Sequence, residues 1–143
     1  MTRYYYFICI IVLCFSGCAS TNSTIMPNAN KFKYDSACVV GLKDASIKLG
    51  ATLQNSLMRR GIKIYDTNNS KECPADFVLK YIDTWTWDLV MYLSLLNIQF
   101  YDNKTNTLLA NGKFETWGLH TYPSPDVVSD ELLKSIFDKL NKK

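Results

Sequence analysis

Apolar residues run unbroken from Tyr4 to Phe15, give way to a polar stretch, and then return in two rhythms. The opening run is 12 residues long; Arg3 precedes it, and Ser16, Gly17 and Cys18 follow. A bilayer span takes about 20 apolar residues. A shorter apolar core between one cation and a small-residue zone is the layout of a secretory signal peptide. From Ala19 to about Lys33 the chain is rich in Ser, Thr and Asn and carries Pro27. That composition predicts a flexible tether, whose roughly 15 coil residues would reach about 20 Å r.m.s.. The expected division is a signal peptide over 1–17, a tether over 18–33 and one folded domain over 34–143.

Within the domain the rhythm alternates between the periods of strands and helices. Cys38-Val39-Val40 is a short apolar run between turn formers and predicts a first strand. Asp44 or Ser46 can cap a helix in which Ile47, Ala51, Leu53, Leu57 and Met58 supply apolar positions, and Gly61 suits its end. Ile62 to Tyr65 alternates as a second strand. A loop from Asp66 to Ala75 leads to a third strand from Phe77 to Trp87, rich in β-branched and aromatic residues. In a fourth, from Leu89 to Tyr101, Ile98 and Phe100 alternate with Asn97 and Gln99, which predicts one wet face. Turn residues from Asp102 to Asn106 separate it from a fifth strand, Leu108 to Trp117, in which Gly112 suits a bulge. Ser124 and Pro125 then open a closing helix with Val128, Leu132, Leu133, Ile136, Phe137 and Leu140 on one face. The fold class expected is α+β: a mostly antiparallel five-stranded sheet with two helices on one face, in the order β-α-β-β-β-β-α.

Charge and cysteines narrow the picture. The net charge is +3, and loss of Arg3 with the signal makes it +2. That is too small for a nucleic-acid footprint, which needs a clustered basic face. Arg59-Arg60 and Lys142-Lys143 read as solvated helix ends. Of five cysteines, Cys9 and Cys14 belong to the signal and Cys18 follows it, leaving Cys38 and Cys73. In an oxidising compartment these two allow a single disulfide, worth roughly 3–4 kcal/mol in the chain-entropy model; the competing reading is a strand cysteine and a loop cysteine that never meet. Two cysteines and one histidine make no four-ligand zinc site without carboxylates, so no metal or other cofactor is expected.

The chain carries no phosphate-binding glycine loop, nucleophile elbow or metalloprotease motif. His120 is the only histidine and has no spaced nucleophile. Asp83, Asp88 and Asp102 bracket the third and fourth strands and read as turn residues. The least ordinary stretch is Tyr81 to Leu93. Trp85 and Trp87 lie two apart and share a strand face. The turn falls near Asp88, yet its neighbours are apolar. Either another element covers that turn, or an aromatic tip is exposed as a partner or membrane-interface contact. Trp85, Trp87, Leu89, Val90 and Tyr92 are the candidate contact residues.

Phe15-Ser16-Gly17-Cys18 resembles the lipobox of bacterial lipoproteins, with Phe15 where that family prefers Leu, a departure expected to slow processing. The resemblance implies cleavage before Cys18, a diacylglycerol thioether on it and an acyl chain on its new amino group. Ala19, in place of the Asp that favours inner-membrane retention, implies the periplasmic face of the outer membrane. Trp85 to Leu93 and Tyr101 to Gly112 resemble a group of small Gram-negative lipoproteins of no settled activity. Strand order alone is similar to domains of envelope-assembly lipoproteins, such as the curli-secretion channel and activators of cell-wall synthases. The expectation is a lipid-anchored, non-enzymatic accessory or assembly factor that binds another envelope protein and no nucleic acid. The alternative is a small-ligand or cell-wall-glycan binding module stacking sugars on Trp85, Trp87 and Trp117. A third reading is a hydrolase using His120.

Overall fold

A computed structural model of the protein describes residues 18–67, 72–117 and 122–142. The signal-peptide run and His120 lie outside the described residues. The strands are β1 (Cys18–Ile25), β2 (Ser36–Gly41), β3 (Lys63–Ile64), β4 (Phe77–Asp88), β5 (Val90–Asp102) and β6 (Leu108–Trp117). The helices are α1 (Ile47–Arg59) and α2 (Pro125–Leu140), with one 3-10 turn over Ala29–Lys31. The strands form one sheet in the order β1-β6-β5-β4-β2-β3. β1, β6, β5 and β4 are antiparallel neighbours, while β2 lies parallel to both β4 and β3.

Both helices pack on one core, but α1 turns a different face to it than its apolar spacing suggested: Leu53 and Leu57 are buried with Leu49, whereas Ile47, Ala51 and Met58 are exposed. Leu49, Leu53 and Leu57 of α1 and Leu132, Leu133 and Ile136 of α2 meet Leu79, Leu96, Ile98, Phe100 and Phe114 of the sheet. Burying such side chains contributes roughly 1.5–3 kcal/mol each. A smaller apolar cluster of Cys38, Cys73, Ala75 and Val78 has Val40 and Tyr65 packed against it. Cys38 and Cys73 are joined as a disulfide, with Cα atoms 6.0 Å apart.

The sheet has six strands where five were expected. The sixth is β1, in the segment read as a flexible tether. It pairs with β6 from Cys18↔Trp117 to Ile25↔Ala110. A strand ladder is made by backbone groups, so a Ser/Thr/Asn run can join it once a partner edge is available. The segment between β1 and β2 is packed as well. Met26 N–H donates to Leu109 O at 2.9 Å, Ala29 is buried, and Tyr34 packs edge-on against Phe77 and Phe32. The Tyr34 hydroxyl donates to Ala29 O at 3.0 Å, and burial pushes its pKa up to about 12. The segment expected to be a tether is therefore part of the folded domain from Cys18 onward.

Gly112 is no bulge. It pairs regularly with Ile98, and the β5–β6 irregularity falls between Phe100 and Tyr101, opposite Leu109. Gly112 instead makes room for α2: a Cβ there would lie 2.9 Å from Ile136 Cδ1 and 3.0 Å from Leu132 Cδ1.

Arg59 and Arg60 are also more than a solvated helix end. Arg59 Nη2 reaches Asp130 Oδ2 at 2.7 Å, Arg60 Nη1 reaches Oδ1 at 2.9 Å, and Arg60 Nη2 donates to Asp130 O at 2.9 Å. The Ser56 hydroxyl donates to the same carboxylate, so Asp130 ties α2 to the last turn of α1. Desolvation favours the neutral acid, but the hydrogen bonds from Ser56, Arg60 and Arg59 outweigh it and hold the pKa at about 2. A lowered carboxyl pKa stabilises the fold above the unfolded value of about 3.9, and that gain is lost as pH falls towards about 2. The site is partly exposed, so its contribution is about 1 kcal/mol or less. Asp130→Asn is expected to lower the Tm at neutral pH. Thermal melts should show that gap closing between about pH 4 and pH 2; a gap constant over this range would contradict the assignment.

Candidate contact site at the β4–β5 hairpin tip

β4 and β5 form a long hairpin that ends in a one-residue reversal: Asp88 pairs with Val90 and Leu89 lies between them. Leu89 has φ 51°, in the left-handed region that costs an L-residue about 1–2 kcal/mol. The hairpin is irregular below its tip. Thr84 pairs with Leu95 and Trp85 with Leu93, leaving Ser94 as the extra residue. Its hydroxyl donates to Thr84 O at 3.0 Å and accepts from Thr86 Oγ1 at 2.7 Å. The bulge returns Leu93 to the core, where it is buried with Leu96 three residues on. Between Leu93 and the turn, no buried core residue remains on β5.

The tip is apolar and open. Trp87 is 69% exposed, Leu89 82%, Val90 49% and Met91 59%. Trp87 and Met91 are cross-strand partners, so their side chains lie on one side of the tip. Its neighbours hold the base. Trp85 is half-buried against the core, and its indole N–H donates to Asp83 Oδ2 at 2.5 Å. The Tyr122 ring packs against Tyr92 with centroids 5.3 Å apart, and its hydroxyl donates to Asp88 Oδ2 at 3.3 Å.

Of the five candidate contact residues, the structure thus places Trp87, Leu89 and Val90 on an exposed tip. Trp85 and Tyr92 are props behind it. Met91 was missed, because alternation alone does not show which residue faces Trp87 until the turn is centred on Leu89. Tyr122 was missed because no local signal links it to a hairpin some 30 residues away. Trp85 is partly buried against the core, and the Trp117 side chain lies outside the described residues.

The carboxylates do not converge. Asp83 accepts from Ser46 N–H at 2.9 Å at the start of α1, which is the work of a helix cap carried out by a strand residue. Asp88 sits at the tip. Asp102 holds the β5–β6 turn through Lys104 N–H and Thr105 Oγ1, each at 2.8 Å. Among the described residues no group of three or more His, Cys, Asp or Glu is placed to hold a metal ion. A cleft of about 580 Å³ between Phe32–Asp35 and the end of α2 is lined by Lys33, Asp35, Lys134 and Asp138. These charges pair with each other, Lys33 with Asp35 and Lys134 with Asp138.

No protein family matches this chain, and no curated protein does. Solved structures do. PelC from Paraburkholderia phytofirmans, a dodecamer, superposes with a TM-score of 0.58 at 12% identity, over 88% of this chain and 99% of that one. TolB from Acinetobacter baumannii gives 0.52 at 12% identity, over 87% of this chain and 31% of TolB. A PDZ domain protein from Parabacteroides distasonis gives 0.51 at 10% identity, over 94% of this chain and 39% of that one. The chain therefore spans nearly all of PelC but about a third of TolB. At these identities the likeness shows a shared α+β architecture and carries no activity with it. Among the described residues no helix is long and apolar enough to cross a membrane.

The tip keeps a large apolar residue where the backbone favours glycine. Leu89→Gly is expected to stabilise the fold by about 0.5–1 kcal/mol, since left-handed strain is relieved and an exposed side chain loses little packing. Urea unfolding checks it; a variant no more stable than the parent would show that Leu89 carries hidden packing energy.

Proposed function

We propose that this protein is a lipid-anchored, non-enzymatic lipoprotein on the periplasmic face of the outer membrane, an accessory or assembly factor that binds another envelope protein. The observation that carries this reading is that β1 pairs with β6 as far as Cys18. With acyl chains on that cysteine, the domain sits on the membrane in a restricted orientation instead of swinging on a tether. A restricted orientation serves a protein that presents one surface to a fixed neighbour. It offers no advantage for capturing a diffusing solute. The architecture shared with PelC, itself a dodecamer, is in keeping with a protein that works in contact with others.

The test is photo-crosslinking in cells, with the full lipidated chain carrying a photoreactive residue at Asn22 on β1 or at Lys104 in the β5–β6 turn. One dominant envelope protein captured from either of these positions is the expected result. Self-crosslinks alone would replace the accessory reading with an assembly of this chain. No protein product from any position would overturn it.

A further inference from the structure

The bare hairpin tip and the lipid-bearing cysteine sit at the same end of one sheet. The register shows this directly. Leu95 of β5 pairs with Glu115 of β6, and Glu115 pairs with Ser20 of β1. Two residues further in the same direction, β6 reaches Trp117, whose partner is Cys18. The same two steps along β5 reach Leu93, and the tip at Leu89 lies four residues beyond. At about 3.3 Å per residue the tip extends some 13 Å past the level of Cys18, and two inter-strand spacings place it about 10 Å to the side. The β5–β6 turn, with Lys104, is at the opposite end.

We propose that Trp87, Leu89, Val90 and Met91 form a second membrane contact, a wedge set into the interface of the bilayer that holds the lipid on Cys18. The inference rests on the lipid-anchor reading above and goes beyond it by naming what the tip touches. Interfacial elements are buried about 5–10 Å, so a sheet inclined to the surface brings both the acyl chains and the tip into the same leaflet. The residue types suit that depth. Trp prefers the headgroup boundary, and Leu, Val and Met supply the apolar point. Leu89 is held outward by its left-handed backbone at a position where glycine would be easier. Ser94 shifts the pleat so that the core ends at Leu93 and the residues from there to the turn can enter the interface.

Charge sets the type of contact. From Tyr81 to Asp102 the hairpin contains no Lys or Arg, and Asp83 and Asp88 are its only acids before Asp102. Both have hydrogen-bond donors, Ser46 N–H and the Trp85 indole for Asp83 and Tyr122 for Asp88. The contact is therefore apolar and not electrostatic. It needs no anionic lipid and resists salt, since screening weakens charge attraction and leaves apolar burial intact.

The test uses the full lipidated protein reconstituted into phosphatidylethanolamine–phosphatidylglycerol vesicles doped with bromolipids that quench tryptophan. Mass spectrometry of the N-terminal peptide first reads acylation of Cys18, so failure of the anchor is seen separately from failure of the tip. The expected result is strong quenching of the parent, more than half of which is lost in Trp87→Phe. Co-flotation with vesicles should be unchanged, because the acyl chains still anchor the variant. Raising NaCl to about 1 M should leave the quenching unchanged. Leu89→Asp should abolish the Trp87-dependent part while circular dichroism stays that of the parent. Equal quenching of parent and Trp87→Phe, or none in either, would overturn the proposal. So would capture in cells, by a photoreactive residue at Val90, of one protein and no lipid, which would make the tip a protein-docking surface.

Discussion

A Cys18→Ala chain is expected to be lost from the membrane as a mature protein: it accumulates as an uncleaved precursor or appears in the soluble fraction. The lipobox resemblance places cleavage and acylation on this one residue. Three acyl chains exceed the two-signal threshold for stable anchoring, whereas an apolar tip alone gives reversible binding. β1 pairs with β6 through its backbone, so its ladder is expected to persist in the variant. Fractionation followed by immunoblotting distinguishes the outcomes. A Cys18→Ala protein of mature size that stays firmly in the membrane fraction would sink the lipoprotein reading and remove the footing of the membrane wedge.

Loss of the Cys38–Cys73 disulfide has the next largest expected effect. The bond spans a sequence separation of 35, for which the chain-entropy model gives roughly 3–4 kcal/mol. Its surroundings add to the case. Cys38 is fully buried on β2, parallel to Val78 of β4, and Cys73, Ala75 and Val78 make the small cluster around it. Asn103 Nδ2 donates to Cys73 O at 2.6 Å and Ala75 O at 2.9 Å, so the bond also ties this segment to the β5–β6 turn. A Cys38→Ala/Cys73→Ala double variant is expected to melt roughly 10–20 °C lower than the parent in the absence of reductant. In strong reductant the parent should approach the variant. A double variant that melts within about 2 °C of the parent would mean that the cluster packs without the bond. The tip should be indifferent to this change, since it lies at the other end of the long hairpin from the cluster.

Both regular rhythms of the domain were legible in the sequence. The helices from Ile47 and from Pro125 span the segments expected, and Ser124 Oγ accepts from Val127 N–H, but the first helix buries Leu49, Leu53 and Leu57 and leaves Ile47, Ala51 and Met58 exposed. β2 through β6 lie within a residue or two of the alternating and β-branched runs that predicted them. Amphipathic period and turn chemistry are local, and the core needs them on one face. That is why two helices against a largely antiparallel sheet could be read from residue order alone. The apolar turn near Asp88 and the pairing open to Cys38 and Cys73 were also visible as residue patterns.

Three matters were decided only by tertiary structure. The polar run from Ala19 carries no period, so nothing in it announces a strand; the open edge of β6 recruits it through backbone hydrogen bonds that are blind to side chains. The Ser94 bulge changes which face each residue of the hairpin takes, and a one-residue shift cannot be read from alternation that it interrupts. The cross-helix cluster of Ser56, Arg59, Arg60 and Asp130 joins residues 70 or more positions apart. Sequence alone determined the alternating strands, the two helices and the cysteine that ends the lipobox-like stretch. The register of the sheet determined that this cysteine and the bare tip lie at the same end of it, because strand pairing is a long-range property that local chemistry does not encode.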